Sequence, residues 1–170
     1  MNPADGEVEP RFSTPDAAPT PWTDAREGLE SAMTYWLATM RPDGRPHVTT
    51  IAAVWLDDAI HFTTSSLEVK GQNLAANPRV VVTTGCNRWY GLDIVVEGEA
   101  IPVADADRLD RLAKAFTKKY EDFFKFRFVD GRFEAAGVSE GQLVFEIRPA
   151  KAFGFAKGDT FSQTRWRWRD

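Results

Sequence analysis

Past residue 34 the chain alternates short, β-branched apolar runs with polar turns, the pattern of a strand meander. "TYWLATM" predicts a strand, "RPDGRP" a turn carrying Asp-Gly, "HVTTIAAVWL" a second strand, "DD" a tight turn and "AIHFTT" a third. "SLEVKGQNLAANP" predicts a short helix that Asn77-Pro78 stops. The unbroken valines of "RVVVTTGC" predict a strand buried on both faces. "YGLDIVVEGEAIPV" predicts a long strand with Val96, Gly98 and Ala100 alternating along it. "ADADRLDRLAKAFTKKY" has Leu109, Leu112, Ala113 and Phe116 on one side, an amphipathic helix with a solvated charged face. "QLVFEIRPAKAFGFA" predicts a last long strand, with Pro149 marking a bulge or an edge.

Upstream, residues 24–34 predict a helix with Asp24 as N-cap and Leu29 and Met33 on one face. Residues 1–22 hold five of the ten prolines and few large apolar groups, so they predict a flexible arm, with Trp22 available to dock. Residues 23–170 then form one domain. Six or more strands, mostly antiparallel, joined by short turns and flanked by two or three helices predict a mainly β fold, a closed or nearly closed barrel.

Composition narrows the function. With 170 residues and 43% apolar content, the chain can bury a real core. A net charge of -4 argues against a nucleic-acid binder. Cys86 is the single cysteine, which rules out an intrachain disulfide and reads as a buried thiol. No leader pattern opens the chain and no run approaches the ~20 apolar residues of a membrane span, so a cytoplasmic protein is expected. The histidines are His47 and His61, with no CxxC or HExxH spacing, so no metal site is expected and neither histidine has a partner motif. No residue stands out as a catalytic acid or base.

The candidate chemistry lies in "HFTTSSLEVKGQNLAANP", His61 to Pro78. Thr63, Thr64, Ser65 and Ser66 end a strand, and Lys70 follows within one turn of the expected helix. Hydroxyls, unpaired N–H groups and a cation at a helix N-terminus suit an anion such as phosphate. By themselves they fit a Ser-capped helix with a solvated lysine even more readily.

The order "WLATMRPDGRPHVTTIAAVW", "FTTSSLEVKGQNLAANPRVVV", "VVEGEA" resembles the pyridoxamine 5'-phosphate oxidase-like split β-barrel proteins over about residues 30–170. The branch it looks most like is the flavin/deazaflavin oxidoreductases. The resemblance implies an FMN-binding-like split barrel, a homodimer, and a cofactor, F420 or FMN, in a groove between the subunits. Carried over, it implies that Thr49, Thr50 and Ile51 line the ring and ribityl side. It further implies that Thr63, Thr64, Ser65 and Lys70 bind phosphate, with Gln72 and Asn73 beside them. Two positions depart from the pattern: many relatives have proline at Thr50 and arginine at Gln72. The second departure removes a bidentate phosphate donor that glutamine does not replace.

The tail "FSQTRWRWRD" alternates Arg165, Arg167 and Arg169 with Trp166 and Trp168. Such a string can stack on a planar ligand and neutralise phosphate, or pack its tryptophans on its own barrel. The resemblance implies a cofactor or dimer role for Arg165, Trp166 and Arg167, with Lys157 and Gln163 as lesser candidates. Trp89 and Tyr90 fit a groove wall or the core equally.

The expected function is therefore hydride transfer from F420 or FMN to a small electron-poor substrate, with no partner in nucleic acid or membrane. The alternatives are an FMN-binding relative of the oxidase and a non-catalytic binding module for flavin, haem or lipid.

Overall fold

The computed structural model describes residues 3–121, 123, 126–129, 132–135 and 141–168. In chain order its elements are β1 (Glu7–Val8), α1 (Trp22–Ser31), β2 (Tyr35–Met40), β3 (Pro46–Ile51), β4 (Ala53–Leu56), β5 (Ala59–Ser65), α2 (Val69–Ala76) and β6 (Arg79–Thr84). There follow β7 (Gly91–Pro102), α3 (Ala106–Tyr120), β8 (Phe126–Val129), β9 (Arg132–Ala135), β10 (Gln142–Lys157) and β11 (Ser162–Arg167).

β10 organises the sheet. One edge pairs with β7 along nearly its whole length. The other edge is shared: Gln142–Ile147 pairs with β5 and Lys151–Ala156 with β11. The hand-over coincides with a register shift between Pro149 and Lys151. Proline has no N–H for the ladder, so the bulge expected at Pro149 is where the strand changes partner. The remaining order runs β7-β6-β2-β3, and every pairing is antiparallel. This is the mainly β, split β-barrel architecture.

Two apolar clusters hold it. Leu37, Ile60, Phe62, Val82, Val96 and Ile147 fill the barrel interior, and Leu29 of α1 plugs it. α3 lays Leu112, Phe116 and Tyr120 over Val54 and Val144, and Phe126 and Phe133 of the β8–β9 hairpin close the layer. Each such side chain contributes about 1.5–3 kcal/mol by leaving water. Asp105 caps α3 as the pattern requires, accepting the Arg108 N–H at 2.8 Å.

Several expectations need correcting. The stretch 47–56 is two strands rather than one. Its first half pairs with β2 and its second with β5, so the chain must bend at Ala52. α1 starts after Pro21, whose fixed φ sets the helix entry, and Asp24 lies in the first turn. β6 is not covered on both faces: Val80 and Val82 are buried while Val81 is half-buried. Its valines satisfy pairing on both edges, to β2 and β7. The tail is a strand, β11, because its period-two alternation turns Thr164 and Trp166 inward.

The segment expected as a flexible arm lies along β11. Ala4 N–H donates to Arg167 O at 3.0 Å, Glu9 N–H to Gln163 O at 2.9 Å, and Thr20 N–H to Thr164 Oγ1 at 2.9 Å. Trp22 docks edge-on against Trp166 and Trp168, with centroids 5.4 and 4.8 Å away. Among the described residues no helix is long and apolar enough to cross a membrane, and no cluster of potential metal ligands occurs.

Candidate functional site

The end of β5 meets the start of α2 beside the bend between β3 and β4. The close approach depends on Gly71: a Cβ there would collide with the Ser65 carbonyl oxygen. The result is a cleft of ≈ 150 Å³. Thr50, Thr63 and Lys70 line one part of it, Ile51, Ala52 and Phe126 the apolar part, and Glu68 and Gln142 the rest.

Charge in the cleft is already matched. The Lys70 ammonium donates to Glu68 Oε2, and the Ser65 N–H donates to Glu68 Oε1 at 3.1 Å. The Gln142 side chain also bonds this carboxylate. Burial alone would raise the Glu68 carboxyl, but Lys70, Ser65 and Gln142 outweigh it and hold it below the usual carboxylate range. The Lys70 side chain is only 13% exposed, so this contact is partly desolvated.

The helix start differs from the expected Ser cap. Glu68 is the N-cap of α2, and its side chain makes no capping bond. Ser65 Oγ instead accepts the Leu67 N–H at 3.2 Å, a local turn that competes with capping.

Thr50, Ile51, Thr63 and Lys70 are thus brought together, with Ser65 contributing its N–H. The other expected residues lie elsewhere. Thr49 donates to the Thr50 carbonyl at 3.4 Å. Thr64 is fully buried and bonds the Ser65 carbonyl. Gln72 is exposed and donates to the Leu67 carbonyl at 3.3 Å. Asn73 faces inward and donates to Thr39 Oγ1 at 2.8 Å, tying α2 to β2. His47 Nδ1 lies 3.4 Å from the same Thr39 hydroxyl.

The tail is far from the cleft within one chain. Ser65 pairs with Gln142, whereas Arg165 pairs with Phe153, on the order of 30 Å further along β10. Trp166 is 1% exposed and belongs to the core. Arg165 pairs with Glu7 at 2.7 Å, Arg167 is exposed, and Arg169 lies outside the described residues. Lys157 bonds Asp93 at 2.7 Å and the Cys86 carbonyl at 3.0 Å. Gln163 N–H donates to Ser13 Oγ. Trp89 and Tyr90 are exposed in the β6–β7 loop, and Tyr90 Oη bonds Asp159. Cys86 is half-buried.

Two cleft residues went unnoticed in the sequence, Glu68 and Gln142. Glu68 sits in plain view two residues before Lys70. Gln142 lies far along the chain and arrives only through β10.

The pyridoxamine 5'-phosphate oxidase profile matches residues 22–155. The chain belongs to that family. Among solved structures, this family member is similar to an F420 reductase, with 21% identity, a TM-score of 0.55, and coverage of 75% of this chain and 94% of that one. It is similar to a haem-binding protein from Mycobacterium smegmatis, with 17% identity and a TM-score of 0.67, covering 86% of this chain and 58% of that one. It is similar to an FAD-binding protein from Mesorhizobium loti, with 16% identity and a TM-score of 0.59, covering 88% and 96%. Identities this low carry the fold and nothing finer. Comparison with curated proteins finds no match.

Proposed function

We propose that this family member is an oxidoreductase that holds a flavin-type cofactor, F420 or flavin mononucleotide, by its phosphate in the cleft beside Lys70. The carrying observation is the convergence of the Lys70 ammonium with Thr50 and Thr63 at one cleft. An ammonium and hydroxyls are phosphate donors, so the residues fit that end of the cofactor. Ile51, Ala52 and Phe126 supply an apolar wall next to them. When bound, such a cofactor carries the two-electron chemistry, a hydride equivalent passed to a small electron-poor substrate. The chain's own task is then to bind, orient and exclude water. That division suits a cleft whose ionisable residues, Glu68 and Lys70, are engaged with each other.

Family membership supports a flavin-type ligand, and two proteins of similar fold are named F420 reductase and FAD-binding protein. Haem is less suited to this cleft. Among its described lining residues there is no His, Cys, Met or Tyr to serve as an axial ligand.

The cleft of ≈ 150 Å³ is smaller than the ~300–1,000 Å³ of ordinary ligand pockets. One chain therefore takes the phosphate end, and a second copy walls the ring. A separate groove of ≈ 500 Å³, lined by Ala38, Met40, Val80 and Val81, offers apolar surface for such a homodimer.

The test is a titration with each cofactor, followed by quenching of the six tryptophans, with molar mass in solution measured alongside. One cofactor per chain in a dimer is expected. Lys70→Ala should remove whatever affinity the phosphate contributes, judged against riboflavin. A monomer that binds neither cofactor overturns the reading. Turnover of the reduced cofactor by electron-poor acceptors separates an enzyme from a carrier.

A further inference from the structure

Glu68 is oddly placed for a residue at a phosphate site. Its carboxylate takes the Ser65 N–H at 3.1 Å, the Lys70 ammonium and the Gln142 side chain. These are donors that an incoming phosphate would use. We infer that Glu68 is an internal anion occupying the phosphate end of the cleft, and that a phosphorylated ligand binds only by displacing it. The inference rests on the phosphate reading above and adds which residue sets the selectivity of that site.

Three features allow the displacement. The Glu68 side chain is 33% exposed, so solvent can receive it. It makes no capping bond to α2, and the helix bond at this position, Gln72 N–H to the Glu68 carbonyl at 3.0 Å, uses the backbone alone. Swinging the carboxylate out therefore leaves the helix intact. Finally, the group released is the same in kind as the group admitted: oxygen acceptors with negative charge, held by charge-assisted bonds. Binding exchanges one anion for another, so the phosphate adds little net affinity. A ligand that brings only its ring and hydroxyls leaves Glu68 in place.

The consequence is a site that discriminates weakly between a flavin with a phosphate and one without. In the unaltered protein, flavin mononucleotide and riboflavin should bind within about threefold of each other. Glu68→Gln keeps the shape and an acceptor for the Ser65 N–H but removes the competing charge. It should tighten flavin mononucleotide by about tenfold and leave riboflavin unchanged.

The experiment titrates both proteins with both flavins and compares their unfolding midpoints. A selective gain for flavin mononucleotide in Glu68→Gln supports the inference. Equal or weaker binding by a folded Glu68→Gln overturns it and makes Glu68 a structural residue. If Glu68→Gln does not fold, the unaltered protein decides: a preference for flavin mononucleotide of a hundredfold or more overturns the inference, and near-equality supports it. If neither flavin binds either protein, the flavin reading fails separately. Inorganic phosphate is then the probe. It should raise the unfolding midpoint of Glu68→Gln but not of the unaltered protein, and equal shifts overturn the inference.

Discussion

Two glutamates in this protein have similar partners and different surroundings. Glu146, on β10, is 4% exposed and is held by Arg108 of α3 and by Arg148. His61 of β5 packs beneath, its Nε2 3.7 Å from the carboxylate and 3.5 Å from the Arg108 guanidinium. Nearby, Arg111 of α3 pairs with Asp57 at 2.8 Å. Glu68 instead faces a cleft, and its cation comes from the first turn of the helix that it introduces. The first group joins three distant elements around a nearly buried carboxylate, so it fixes α3 on the barrel. The second is local, borders open volume and can exchange its anion. An ion pair alone does not distinguish structure from binding; the space beside it and the sequence distance it spans do.

The strongest way to break that contrast is Glu146→Ala. It leaves Arg108 half-buried without its carboxylate and should cost about 3–4 kcal/mol in denaturant unfolding. Cofactor affinity of the folded protein should not change.

Acid should act mainly through the same cluster. Burial, opposed by Glu146, pushes His61 down to about 4 from an ordinary 6.5. The unfolded chain thus binds the proton first, and stability falls as pH drops from 6.5 towards 4, by about 3 kcal/mol. Burial raises Glu146 too, but Arg108 and Arg148 outweigh it and leave it below the usual carboxylate range. Its contribution is present above about 4.5 and is lost at still lower pH. Unfolding midpoints across pH 7 to 4 should slope, and His61→Leu should flatten the upper part of that slope. An equally steep slope in His61→Leu would assign the acid sensitivity elsewhere.

Gly71→Ala sharpens the contrast at the cleft. In a helix interior this change ordinarily stabilises by up to ~1 kcal/mol. Here the added methyl meets the Ser65 carbonyl oxygen, so the change should destabilise by about 1–3 kcal/mol and weaken cofactor binding together. Smallest of all is Lys70→Ala read as stability. Its partner Glu68 can turn to solvent, so the unfolding free energy should move by less than ~1 kcal/mol, while the tighter flavin mononucleotide binding of Glu68→Gln should disappear when Lys70→Ala is added. A large loss of stability with intact binding would give Lys70 the role assigned here to Arg108.

Much of the architecture was legible in advance because strand and helix periodicities are local. Leu109, Leu112, Ala113 and Phe116 mark α3, and all four are buried. Pro149 marks the irregularity in β10, since a missing N–H cannot be hidden. The candidate site was less legible. Lys70 and Thr63 stand at the cleft because they flank one turn in sequence. Asn73 belongs to the same string, but helix phase turns it inward to Thr39. Trp166 and Arg165 alternate on a strand, so one enters the core and the other meets Glu7. Read as chemistry, that alternation concealed a strand.

The sequence by itself determined most of the elements, the mainly β class, the family and the hydroxyl-and-lysine turn, because these show in local periodicities and motifs. Only the tertiary structure decided what that turn holds. Glu68 is fixed there by Gln142, which arrives at Ser65 because β10 pairs with β5. Tertiary contact also separated Glu146 from Glu68, since burial and open volume are properties of packing between distant segments and leave no periodic trace in the chain.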